Sequence, residues 1–428
     1  MVVHRGSAGY NQPIMELNAQ ILERLEQAID RRRLVETATR LIEVPSPTGA
    51  AGDVLERLDE LLAADSFQVQ RPQGGHPSAP ALAVTYAGVS TGRTLQYNGH
   101  LDTVHLPFVP PSVEGDLLKG SGASDMKGGL AAAIEALRAV RDSGLLAAGS
   151  ILLTAHDLHE APWGDGRQLD RLITDGLVGD AVLLPEPLSD RLPVVGRGQA
   201  CWKATIRRPG PPVHEVMRPL DEPNVIAAGA EFVARLGQLD RQLSSLSTDP
   251  IAGPSSVFIG QFHSGEIYNQ YPHECVLEGT RRWLPGTAKS DVESEFRALV
   301  TGLEHATGTT IELRWQVVRD AFMLDQANPF VPMFQSAYET TAGRALPTGA
   351  KPFVDDGNSF WSLAKVPAIT HGPRAGGQHT VEEWASISDL VRVAKLYALM
   401  AILYCQAETS TDGHGGRDSR SDCRRSDD

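Results

Sequence analysis

From residue 17 to residue 43, apolar side chains recur at three- and four-residue steps (Ile21, Leu22, Leu25, Ile29, then Leu34, Ala38, Leu41), which predicts one or two amphipathic helices. Pro45 and Pro47 end the pattern, and a further amphipathic stretch covers 52–62. Residues 1–15 carry no period and read as a flexible N-terminus. Short apolar runs at 81–86 and 93–97 read as strands, and an Ala- and Leu-rich helix follows Lys127. Buried-looking strands at 150–155 and 180–184 flank a helix at 167–177. Strands alternating with helices predict an α/β fold with a sheet covered on both faces.

From Gly198 the pattern changes. Strands are expected at 199–206, 256–262, 275–283 and 310–318, with helices at 224–243 and 291–305. The order β-α-β-β-α-β is a split βαβ unit, so 198–318 reads as a domain inserted between 16–197 and 319–406 of a larger one. Helices at 331–341 and 390–403, with a strand at 366–370, complete the larger domain. Residues 407–428 are nearly devoid of apolar side chains and read as a disordered tail, with His414 solvated.

Composition narrows the partners. A formal charge of −14 over 428 residues argues against nucleic acid and anionic membrane surfaces. No apolar run approaches the roughly 20 residues of a membrane span. The four cysteines (Cys201, Cys275, Cys405, Cys423) show no paired spacing, which fits a cytoplasmic location, with Cys201 and Cys275 as buried apolar residues.

The candidate chemistry lies where predicted strands end. One stretch, 97–127, carries His100, Asp102 and Asp125 among glycines. HDLHEAPWG adds His159 and Glu160, LLPEP adds Glu186, and GGQHTVEEW adds His379. Singly, each has a plain reading as a surface turn or loop residue. Together they collect at the carboxyl ends of strands and in glycine-rich loops, where α/β sheets place their sites. Imidazoles mixed with carboxylates are the ligand set of a metal-assisted hydrolase.

This ordered series (His100-x-Asp102, Asp125-x-Lys127-Gly128-Gly129, Glu160, Glu186-Pro187, His379) resembles the M20 metallopeptidase family over residues 34–405. That family includes acetylornithine deacetylase, succinyl-diaminopimelate desuccinylase, aminoacylase-1 and carboxypeptidase G2. The resemblance implies a phosphorylase/hydrolase-like catalytic α/β domain with an inserted ferredoxin-like lid that forms a homodimer. It implies two divalent metal ions, zinc first and cobalt or manganese as alternatives. Asp125 would bridge them, His100 and Glu186 would complete one, and Glu160 and His379 the other. Asp102 would accept the free N–H of His100, and the Asp125–Met126 bond would be cis. In the lid, His214 would steady the oxyanion across the dimer interface, and Asn224 would start a helix. Asn269, Pro272 and Arg282 would belong to the segment that grips a substrate carboxylate. The implied reaction is hydrolysis of an N-acyl amino acid or a short peptide.

Two departures change this picture. Where the family has a Glu-Glu pair, this chain has His159-Glu160, so imidazole occupies the position of the general base. Histidine can do that work near neutral pH. Asp157 is a fallback base, and a metal- and ligand-binding protein with altered or lost turnover is the alternative reading. The second departure is Asp355, which precedes Asp356 where relatives have a small hydroxyl residue. A carboxylate there is expected to repel an anionic substrate group.

Overall fold

The computed structural model describes residues 8–160, 164–246 and 248–407. The first helix, Ala8–Glu26, starts inside the stretch expected to be flexible, and a second, Arg31–Ile42, follows after a break capped by the Asp30 carboxylate. The tail, with His414 and Cys423, lies outside the described residues.

The larger sheet has six strands in the order Val69–Gln70, Leu82–Ala87, Ala148–His156, Ser90–His100, Ala181–Leu184, Ala368–Thr370. Its centre is parallel and its first two strands run antiparallel. The central strands are buried on both faces, as expected of a covered sheet, with Leu95, Tyr97, Ile151 and Leu153 on one face and the hydrogen-bonded Gln96, Asn98 and Thr154 on the other. Helices Lys127–Ser143 and Ile387–Cys405 pack on the sheet and on one another. Tyr97 donates from its hydroxyl to the Tyr397 carbonyl at 2.7 Å, tying strand to helix within this core. No helix among the described residues is long and apolar enough to cross a membrane.

Residues 198–319 build a second body with its own core. Its antiparallel sheet runs Ser256–Ser264, Glu274–Trp283, Gly198–Arg207, Thr310–Arg319. Helices Val225–Leu246 and Lys289–Thr307 cover one face around Trp202, Phe232 and Phe296. Because side chains alternate across a strand, Gln199, Cys201, Thr280 and Arg282 fall on the opposite, helix-free face. Cys201 is therefore exposed, not buried as expected from its residue type; Cys275, facing the helices, is buried.

Backbone contacts bring the site loops together. A Cβ on Gly129 would lie 1.9 Å from the Pro185 carbonyl oxygen, and one on Gly372 would lie 2.3 Å from that of Glu186. Only hydrogen at both positions lets the helix after Asp125 and the loop after Thr370 close on the Glu186 turn.

A candidate dinuclear metal centre

Each expected ligand sits at the carboxyl edge of the larger sheet. His100 is the last residue of its strand rather than a loop residue. Asp125 lies two residues before the start of helix Lys127–Ser143, and its bond to Met126 is cis, as the resemblance implied. Glu186 follows strand Ala181–Leu184 by two residues. His379 takes a left-handed backbone (φ 58°), which turns its imidazole inward.

The geometry has two ends joined by one carboxylate. His100 Nε2 lies 3.2 Å from Asp125 Oδ1 and 3.6 Å from Glu186 Oε1. His379 Nε2 lies 3.7 Å from Asp125 Oδ2 and 3.1 Å from Glu160 Oε2. Asp125 thus turns one oxygen toward each imidazole. Ligand atoms of His100, Asp125 and Glu160 fall within 4.8 Å of one another, as do those of His100, His159 and Glu186.

Electrostatics favours cations here. Burial, and then the charge of Asp125, push the carboxyls of Glu160 and Glu186 above their ordinary pKa. Burial alone would lower the pKa of His100, but the carboxylates of Asp102, Asp125 and Glu186 around it outweigh burial and hold the ring well above its usual value. The buried Glu186 Oε1 has no hydrogen-bond donor. Three crowded carboxylates, an orphaned oxygen and two imidazoles aimed between them fit a pair of divalent ions.

The surroundings hold these ligands in place. The Glu383 carboxylate accepts from the amides of Ser124 and Asp125, and burial raises its pKa to about 7. Asp102 behaves differently from expectation. His100 Nδ1 faces the main-chain carbonyl of Asp102 at 3.0 Å, whereas the Asp102 carboxylate is 3.6 Å away. That carboxylate instead accepts from the amides of His159 (3.0 Å) and Glu160 (2.8 Å), fixing the loop that carries both. Asp157 points away, accepting from the amides of Gly49 and Ala51, so it is not placed to act as a base.

His159 lies within the cluster. Its ring stacks on that of His100 with centroids 3.9 Å apart and planes 8° from parallel. Its Nε2 is 3.8 Å from Glu186 Oε1, and its Nδ1 is 2.8 Å from Asp356 Oδ1. Asp356, His156, Asn98 and Arg319 form a buried group behind it that the sequence reading gave no role. The only signals were a second Asp after Asp355 and a second His before His159.

Asp355 differs from the expectation of a carboxylate facing substrate. It is buried and neutralised by Lys351, and it accepts from Thr370 Oγ1 at 2.6 Å and the Gly357 amide at 2.8 Å. It therefore caps a short helix and does not repel substrate. Replacing Lys351 by Met should leave this carboxylate buried and unpaired, costing about 3–5 kcal/mol in denaturant unfolding. A loss under about 1 kcal/mol would show that the pair does not hold this loop.

A cavity of about 1030 Å³ opens over the centre, between Asp125, His159, Glu160, Glu186 and His379 below and the free face of the smaller sheet above. Arg282 lines it, more than half-buried, and its guanidinium makes no hydrogen bond or ion pair to a described residue. His214 and Asn269 do not line it. They pair with each other, His214 Nε2 to Asn269 Nδ2 at 3.0 Å, on exposed loops. Arg282 lines the cavity and Asn269 does not, and the strand Glu274–Trp283 that lies between them in sequence carries Arg282 about 26 Å from its own first residue at ~3.3 Å per residue. The expectation that both belong to one carboxylate-gripping segment does not hold within a single chain.

Residues 97–402 match the family model for peptidase family M20/M25/M40. A succinyl-diaminopimelate desuccinylase from Methylobacterium nodulans is 28% identical over 385 residues, 83% of this chain and 92% of that protein. A tripeptidase structure from Staphylococcus aureus superposes with a TM-score of 0.73 at 20% identity, covering 89% of this chain and all of that one. A Bacillus subtilis structure, described as a dinuclear metal-binding peptidase of the M20 family, superposes with a TM-score of 0.62 at 15% identity, covering 88% and 99%. With its ligand loops gathered as described and most of its length matched, the chain belongs to peptidase family M20/M25/M40 and is a metal-dependent hydrolase of amide or peptide bonds.

Proposed function

We propose that the protein is a dinuclear amidohydrolase that removes an acyl group from an N-acyl amino acid, or cleaves a short peptide, with His159 as its general base. The observation that carries this reading is the division of Asp125, one oxygen toward His100 and the other toward His379. Zinc suits this ligand set, and cobalt or manganese would fit it. When bound, two such ions polarise the scissile carbonyl and acidify the attacking water.

The chain's own residues do the rest. His159 offers Nε2 at the cluster, takes the proton from water and passes it to the leaving amine. Arg282, on the roof of the cleft, binds a substrate carboxylate through its planar fork. His214 and Asn269 stand outside the cleft of one chain, which supports a homodimer in which His214 of the partner subunit reaches the oxyanion. The insertion is then a ferredoxin-like lid and dimerisation domain spanning about 198–318, within a cytoplasmic enzyme that binds neither nucleic acid nor membrane. A protein without turnover is disfavoured because Nε2 of His159 is turned toward the ligands and not away from them.

The test is a panel of N-acetyl, N-succinyl and dipeptide substrates, assayed with about two equivalents of zinc, cobalt or manganese per chain. Turnover that a chelator abolishes and metal restores supports the reading; no turnover across the panel overturns it. Arg282→Ala should raise KM for substrates with a free carboxylate on the order of 10²-fold, the loss of a charge-assisted pair worth about 2–3 kcal/mol. Substrates amidated at that end should be nearly indifferent. Equal effects on both would remove Arg282 from carboxylate recognition.

A further inference from the structure

The carboxylate of Asp356 is completely buried and has four donors around its two oxygens. Oδ1 receives His159 Nδ1 at 2.8 Å and Arg319 Nη2 at 3.1 Å. Oδ2 receives His156 Nε2 at 2.7 Å and Asn98 Nδ2 at 2.8 Å. An ionised carboxylate only accepts, so each nitrogen that faces it must carry its hydrogen. For His156, the other ring nitrogen faces the Asp157 carbonyl at 3.0 Å, so both its nitrogens meet acceptors and the ring is suited to the charged form. Arg319 and His156 thus offset the buried negative charge from two sides, which keeps Asp356 ionised and acceptor-only.

We propose that Asp356 is the positioning residue of His159, fixing the proton on Nδ1 so that the Nε2 lone pair faces the ligand cluster. This inference rests on the reading of His159 as the base and explains how an imidazole can stand where a carboxylate would need no such help. A carboxylate base has two equivalent oxygens, whereas an imidazole with its proton on Nε2 would turn its lone pair away from the cluster. The stacking of His159 on His100 supports a base over an additional ligand. An ion bound by an imidazole lies in the plane of the ring, and two nearly parallel planes 3.9 Å apart at their centroids cannot both contain one ion. Arg319 is the last residue of the strand Thr310–Arg319 that leads out of the inserted body. The strand that leads out of that body therefore ends on the same oxygen that faces the ring.

The test is a cycle of variants with a separate spectroscopic arm. Asp356→Asn should lower kcat on the order of 10²–10⁴-fold, the range of general acid–base catalysis, with KM changed less than about threefold. In the His159→Glu background the same substitution should cost less than about threefold, since Glu has no tautomer to fix. An equal loss in both backgrounds overturns the proposal and leaves Asp356 a purely structural group. Metal content is measured for every variant, and a lower content in Asp356→Asn also overturns it. Nitrogen-15 NMR of ring-labelled wild-type protein at pH 8.5, metal-free and zinc-loaded, does not depend on any Asp356 variant folding. The His159 signals, identified by their loss in His159→Gln, should show a proton on Nδ1 alone. A proton on Nε2, in a neutral or a charged ring, overturns the proposal. If His159→Ala keeps wild-type kcat, the base assignment itself fails, whereas the NMR result still reports on the orientation.

Discussion

Asp125→Asn should empty both halves of the centre in one step. The side chain keeps its size, but one of the two oxygens becomes an amide nitrogen that cannot bind a cation, and a negative charge is lost. Since His100 and His379 each face a different oxygen of Asp125, neither end retains its full donor set. Altering an outer-shell partner costs about 10–100-fold in affinity or activity, so losing a ligand shared by two ions should cost more than about 10³-fold in turnover. Metal analysis after dialysis should fall from about two equivalents per chain to less than one. Glu160→Gln and Glu186→Gln are the controls, because each should weaken one ion and leave the other. If Asp125→Asn retains two equivalents, the carboxylate does not bridge, and the centre must be redrawn as two independent sites.

His159→Ala should lower kcat on the order of 10²–10⁴-fold while leaving metal content near two equivalents. The reasoning is positional: Nε2 faces the cluster, but the ring plane lies beside that of His100 and not across it. A base removed leaves the ligands standing; a ligand removed does not. His159→Glu is the more instructive change, since it puts a carboxylate beside three others and adds a negative charge near Glu186. If this variant matches or exceeds wild type, the imidazole is a specialisation and not a requirement. Loss of a full metal equivalent in His159→Ala would instead make His159 a ligand and defeat the base assignment.

The candidate ligands could be picked out because each carries a local mark. His100 and Glu186 stand beside a glycine or prolines where an apolar run stops, and Asp125 and His379 lie in glycine-rich loops. Between 198 and 319 the individual elements were legible, since four strands and two helices form close to where the apolar pattern placed them. What sequence could not show was pairing at a distance. Asp356 meets Asn98 and His156 across 258 and 200 residues, and no spacing rule joins them. The misreading of Asp355 has the same origin. Its charge is cancelled by Lys351, and without the fold a buried ion pair looks like an exposed acid. Asp102 was nearly right for a subtler reason: the residue beside His100 was correct, but its main-chain carbonyl, not its carboxylate, takes the ring nitrogen.

The distance between Arg282 and the His214–Asn269 pair has a consequence for how damage spreads. If each cleft borrows its oxyanion donor from a neighbour, the working unit is a pair of half-sites, and a lesion is inherited crosswise. A chain with a faulty His214 would keep a serviceable cleft of its own and silence that of its companion. Two chains broken in different halves could then mend one another, which a self-contained enzyme of the same fold could never do.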